Sequence, residues 1–108
     1  MSPNKNYQRG ANFERQVLKI IRNAGYFAIR AAGSHSPADI MASKSAILNG
    51  ADVYLVQCKL DGKISRAEWD KLIDAADLAY ADPIIASKPQ RGVIKFQYAN
   101  EDGEEWIP

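Results

Sequence analysis

A chain of 108 residues, 46% hydrophobic and 25% charged, has the size and composition of one soluble globular domain. Its net charge of +1 hides an asymmetry: Lys5, Arg9, Arg15, Lys19, Arg22 and Arg30 face only Glu14 and Asp39 in residues 1–40, and acids outnumber bases beyond. A lone cysteine, Cys58, excludes a disulfide framework or cysteine-cluster zinc site, and no apolar run approaches the ~20 residues of a membrane span.

The polar opening "MSPNKNYQRG" is not signal-like. With the unpaired cysteine it points to a reducing, cytoplasmic setting, or a host cytoplasm for a viral gene. Residues 1–8 read as a loose arm and residues 9–108 as the folded domain. From Arg9 to Ala24, Phe13, Val17, Ile20 and Ala24 recur at the helical period, with Leu18 and Ile21 beside them. Gly25 stands where a helix C-cap is expected. "YFAIRA" (26–31) then reads as a strand, "GSHSP" (33–37) as a loop and "ADIMA" (38–42) as a short strand. Asn49-Gly50 marks a turn before "VYLVQCK" (53–59), the chain's strongest strand.

Ser65 and Glu68 form an S-x-x-E capping box that opens a helix through Trp69, Leu72, Ile73, Ala76 and Tyr80. "PIIAS" (83–87) and "VIKFQYA" (93–99) are two more strands, and Trp106 is a candidate anchor in an acidic tail. The order α-β-β-β-α-β-β predicts an α/β domain in which one mixed five-stranded sheet is flanked by helices.

Four polar positions do not suit a plain core. Gln57 and Lys59, two apart on a strand, share a face with Val53 and Leu55, and Cys58 faces away. Asp39 opens the preceding strand, so its carboxylate lies near Gln57 if the two strands pair. Glu14 sits about 100° around its helix from Phe13, at the margin of the apolar stripe. Singly, these are a turn acid, a solvated lysine and a surface acid. Jointly, an acid, an oxygen donor and a lysine at strand ends suit Mg²⁺-assisted phosphodiester hydrolysis, in which the ion activates water and offsets developing charge.

"PAD-I…VQCK", preceded by a helix bearing Glu14, resembles the PD-(D/E)xK nuclease signature. More specifically, "RGANFERQVLKIIRNAGYFAIRAAGSHSPADIMA" resembles the opening of archaeal-type Holliday junction resolvases. That family begins R-G-x-x-x-E-R on a helix and continues through a Gly-aromatic step, an arginine-ending strand, a serine-containing loop and a P-D-I strand, here P-A-D-I. The resemblance runs from about Arg9 to Trp106 and is most specific from Arg9 to Lys59. It implies a restriction-endonuclease-like fold and cleavage of four-way DNA junctions by a homodimer. The implied cofactor is Mg²⁺, with Mn²⁺ as substitute.

Carried over by position, the resemblance makes Asp39 the central metal ligand, Glu14 a helper that binds the metal directly or through water, and Lys59 the catalytic lysine. The Cys58 backbone carbonyl would be a further ligand. Arg9, Arg15 and Arg30 would contact phosphates, with Ser34 or Ser36 as the loop serine and His35 as a DNA contact. Trp69, Ile73, Tyr80 and Ile84 are candidates for the dimer surface. The departure is Gln57, which stands where the family carries an acid; its amide oxygen can ligate a metal but brings no charge. Two other readings stay open: a restriction- or repair-type nuclease acting on other DNA, and a non-catalytic DNA-binding module with a degenerate site.

Overall fold

The computed structural model describes residues 5–31, 36–46 and 50–108. Helix α1 (Lys5–Asn23) is followed by strands β1 (Phe27–Arg30), β2 (Ile40–Ala46) and β3 (Gly50–Cys58), helix α2 (Arg66–Ala79), and strands β4 (Asp82–Gln90) and β5 (Val93–Tyr98). The expected order holds. The strands form one five-stranded sheet in sequence order. All neighbours are antiparallel except β3 and β4, which run parallel. That parallel pair requires a crossover, and α2 supplies it.

Helix α1 starts at Lys5, so Lys5–Gln8 belong to the helix and not to a loose arm. Its buried stripe is Phe13, Val17 and Ile21, spaced four apart. Ile21 is fully buried while Ile20 is 37% exposed, which reverses the expected weight of these neighbours. The sheet selects the face 100° further round. The helix ends as expected at Gly25, whose φ of 97° is open to glycine at little cost. The Gly25 N–H donates to the Arg22 carbonyl at 3.0 Å, and the Arg22 guanidinium donates to the Ala28 carbonyl at 2.8 and 3.0 Å. These contacts set the angle between α1 and β1.

Alternation along β3 divides the core in two. Tyr54 and Val56 join Phe13, Val17 and Ile21 on the α1 side, together with Ile40, Ala42, Ile84, Ala86 and Phe96. Leu55 joins Leu72 and Ala76 on the α2 side, with Ala38, Ile85 and Ala99. Ile84 is 0% exposed and faces α1, so it cannot serve the dimer surface for which it was a candidate. Trp69 and Ile73 are half-buried against the α2-side cluster, whereas Tyr80 is 96% exposed.

Trp106 is the anchor its setting in the acidic tail suggested. Its ring lies 4.7 Å from that of Tyr54, 5.6 Å from Phe96 and 5.8 Å from Tyr26. The Trp106 backbone N–H donates to the Phe96 carbonyl at 3.0 Å, fastening the tail to β5. The capping box at α2 is complete: Ser65 Oγ accepts from the Glu68 N–H, and the Glu68 carboxylate accepts from the Ser65 N–H. Strand β2 is longer than "ADIMA" because Ser43, Lys44 and Ser45 continue the ladder opposite Val53, Asp52 and Ala51. The Asn49 turn, Ser34 and His35 lie outside the described residues.

Candidate active site

The site forms where β2 begins and β3 ends. The regular ladder between these strands reaches Ile40 opposite Val56. Beyond it the Asp39 N–H donates to the Val56 carbonyl at 2.9 Å, and the Asp39 carboxylate accepts from the Cys58 N–H at 2.7 Å. The side chain thus replaces a missing backbone acceptor and is fixed against the end of β3. Upstream, Ser36 Oγ donates to the Ala38 carbonyl at 2.6 Å, closing a short turn that delivers the chain into β2. Ser36 itself is exposed.

Burial pushes the Asp39 carboxyl up to about 6. The Cys58 N–H opposes that rise, the negative charge of Glu14 adds to it, and Lys59 and Arg30 pull it back. Five of the sequence-selected residues, Asp39, Cys58, Glu14, Lys59 and Arg30, therefore share one electrostatic neighbourhood. The same burial, with the charges of Asp39 and Glu14, holds the Cys58 thiol above its ordinary range, so the side chain remains a neutral thiol.

Glu14 reaches the site from α1 and accepts from Arg30 Nε at 2.8 Å, both side chains being mostly buried. Arg30, expected as a phosphate contact, thus holds the helix acid. Lys59 directs its ammonium toward α2, 3.0 Å from one Glu68 oxygen and 3.3 Å from the other. Gln57 is half-buried on the same side of β3 as Leu55. No hydrogen bond among the described residues ties its amide to Asp39.

A groove of about 740 Å³ runs past the end of β3, lined by Arg9, Gly10, Cys58, Lys59 and Lys88. Asp61 is the one acid on its wall among the described residues. A second hollow, about 360 Å³, shares Arg9 and Lys88 with it and adds Arg91. The walls are cationic and open, which suits a phosphate backbone. Arg9, expected as a phosphate contact, lines the groove. Arg15 is exposed and donates to Asn12 Oδ1 at 3.3 Å, outside both hollows. Lys88 and Arg91 were not singled out from sequence; they come from the end of β4 and the turn after it, and only the sheet order brings them beside Arg9. Glu68 was read purely as a cap, because S-x-x-E before a helix explains itself.

Among the described residues, no three histidine, cysteine or acid side chains gather as a metal-holding group. Asp39 still has one mark of a cation ligand: burial and Glu14 disfavour its charged form, and a bound cation would relieve both. Asp39, the Gln57 amide and the Cys58 backbone carbonyl are the oxygen donors that would face such an ion, a set of the kind divalent cations take but with a single charge.

A restriction-endonuclease-like α/β domain is the class these features define, with an acid at the start of the second strand and a lysine just past the third. The profile described as archaeal Holliday junction resolvase (Hjc) matches residues 5–105, and the chain belongs to that family. It is 28% identical over 86 residues to the crossover junction endodeoxyribonuclease Hjc of Methanocaldococcus jannaschii. That alignment covers 76% of this chain and 60% of the relative's length. The crystal structure of Archaeoglobus fulgidus Hjc, a Holliday junction resolvase from an archaeal hyperthermophile, superposes with a TM-score of 0.67 at 27% identity. It covers 84% of this chain and 73% of that one.

Proposed function

We propose that this protein is a metal-dependent endonuclease that resolves four-way DNA junctions by paired, symmetric cuts. Membership of the resolvase family supports the substrate class. The observation that carries the chemistry is the seating of Asp39 against the end of β3, within reach of the charges of Glu14, Arg30 and Lys59. Asp39, the Cys58 carbonyl and the Gln57 amide would hold a Mg²⁺ or Mn²⁺ ion, with Glu14 reaching it directly or through water. Such an ion, when bound, would supply an activated water and offset charge on the scissile phosphate. Arg30 orients Glu14 by its ion pair. Lys59, on the groove wall, offers an ammonium to the negative charge that builds up as the phosphodiester is attacked. Arg9 and Lys88 hold the backbone on either side.

Cutting two strands symmetrically calls for two sites related by a two-fold axis, which a homodimer provides. An apolar surface suited to a second copy exists on the α2 side of the sheet. Helix α2 packs over β3 and β4. Beyond it Phe27 (66% exposed), Ile29 and Met41 stand on the uncovered side of β1 and β2. Burying them against a second copy removes apolar surface from water at roughly 25 cal/mol per Å².

Gln57 favours one competing reading, a binding module that has lost its chemistry. The Asp39→Asn protein separates the two. Wild type cuts a synthetic junction with Mg²⁺ or Mn²⁺, and Asp39→Asn binds it equally well without cutting. A wild type that binds and never cuts would establish the binding-module reading instead.

A further inference from the structure

The ion pair between Lys59 and Glu68 has no part in the scheme above. Both Glu68 oxygens lie on the one ammonium, at 3.0 and 3.3 Å. Glu68 is itself held at two points: Oε1 accepts from the Ser65 N–H at 3.2 Å, and its own N–H donates to Ser65 Oγ at 3.1 Å. The hydrogen bond from Lys59 is the main cause that holds the Glu68 carboxyl below its usual range, so the acid is charged. A lysine has a long, flexible stem, and a tether at its far end places the ammonium. Here the tether is a carboxylate whose own rotamer the helix cap has already fixed.

The charge balance around Lys59 gives this contact its meaning. An acid two residues earlier would share the lysine's face of β3, but position 57 holds an uncharged glutamine. The carboxylate closest to the ammonium instead comes from the first turn of α2, nine residues later in the chain.

We propose that Glu68 is a positioning residue for Lys59, supplying from α2 the negative charge that Gln57 cannot. This rests on the nuclease reading above. The capping box and the active lysine share one carboxylate, so the start of α2 is built into the site. An ordinary exposed ion pair contributes little and would leave cleavage untouched. This pair is half-buried, doubly contacted and anchored at a helix start.

The test is single-turnover cleavage of a four-way junction at saturating Mg²⁺ by wild type, Glu68→Gln, Gln57→Glu and the double variant. Glutamine at the third helical position can still accept from the Ser65 N–H, so Glu68→Gln keeps the cap while removing the charge. Glu68→Gln should lower the cleavage rate constant about tenfold while leaving junction affinity within about twofold. With Gln57→Glu present, the same substitution should cost less than about threefold, because a neighbouring acid again faces the lysine. Ser65→Ala should lower the melting temperature without a comparable loss of rate. Wild-type cleavage by Glu68→Gln would overturn the proposal, as would equal losses in both backgrounds or a Ser65→Ala loss matching that of Glu68→Gln. A wild type that cuts nothing removes the nuclease reading and this proposal together, an outcome distinct from the other three.

Discussion

Asp39 is a structural residue as much as a chemical one. Its carboxylate takes the Cys58 N–H that the ladder leaves over, yet burial and Glu14 raise it to about 6 from an ordinary 3.8. The folded, metal-free protein therefore keeps this proton between about pH 4 and 6, where the unfolded chain has lost it. Folding binds the extra proton, so this residue's contribution to stability falls as pH rises through that window and stays low above it. In Asp39→Asn the neutral amide carries no such penalty and can still accept from Cys58. At pH 7.5 in EDTA, Asp39→Asn should be the more stable protein, by about 1–2 kcal/mol once solvent screening is allowed for. The gap should vanish near pH 4 and shrink at pH 7.5 when Mg²⁺ is added. Urea unfolding of both proteins at the two pH values checks this. Asp39 and Lys59 were legible in the sequence because motif and strand alternation put them at strand ends, and Glu14 because the motif's helix acid falls at the margin of the apolar stripe of α1. The partners Arg30 and Glu68 were not, because a side chain's choice of ion pair depends on tertiary approach, and each already had another plausible role.

Helix and strand order followed from periodicity and punctuation, and both caps were visible as residue types: Gly25 after α1 and Ser65 with Glu68 at α2. Errors arose where the sequence carries two equivalent solutions. Ile20 and Ile21 both extend the stripe of Phe13 and Val17, and only the position of the sheet decides for Ile21. The polar run Ser43–Ser45 gives no strand signal of its own; pairing with β3 draws it into the ladder. The end of α2 is the opposite case, a local penalty the fold accepts. Tyr80 caps it at φ 51°, a left-handed conformation that disfavours a bulky residue, with its side chain 96% exposed. Its N–H still reaches Asp77 and Ala76 carbonyls, so the turn is satisfied and only the backbone angle is strained. Tyr80→Gly should therefore raise stability by about 0.5–1 kcal/mol with no loss of packing. Its urea midpoint should move upward at an unchanged slope; a lower midpoint would mean the Tyr80 ring has a partner.

At the scale of the molecule, the basic excess of residues 1–40 matters through what the fold sets beside it. Arg9 comes from α1, Lys59 from the end of β3, and Lys88 and Arg91 from around the β4–β5 turn; Lys59 lines the groove, Arg91 the second hollow, and Arg9 and Lys88 both, so the two hollows share one cationic surface. Counting charge along the chain found only the first of these contributors. If this groove carries the DNA backbone, Lys88→Ala and Arg91→Ala should each weaken junction binding evenly across junction sequences. Each should reduce the dependence of log affinity on log salt by about one unit. A change confined to one junction sequence would instead mark a base contact. The uncovered apolar face at Phe27, Ile29 and Met41 lies on the side of the sheet that α1 does not cover. A dimer can therefore form there without closing the helix that carries Arg9 and Glu14.

The proposed function turns on cutting of a four-way junction in preference to linear DNA, the selectivity expected where contacts are to the backbone and not to base edges. Its direct measurement is cleavage of a synthetic four-way junction beside a linear duplex of the same arm sequence, titrated with Mg²⁺ and Mn²⁺. The account predicts paired cuts at symmetric positions on two strands of the junction, with the linear duplex left whole at the same metal concentration. Equal cutting of the two substrates would contradict it.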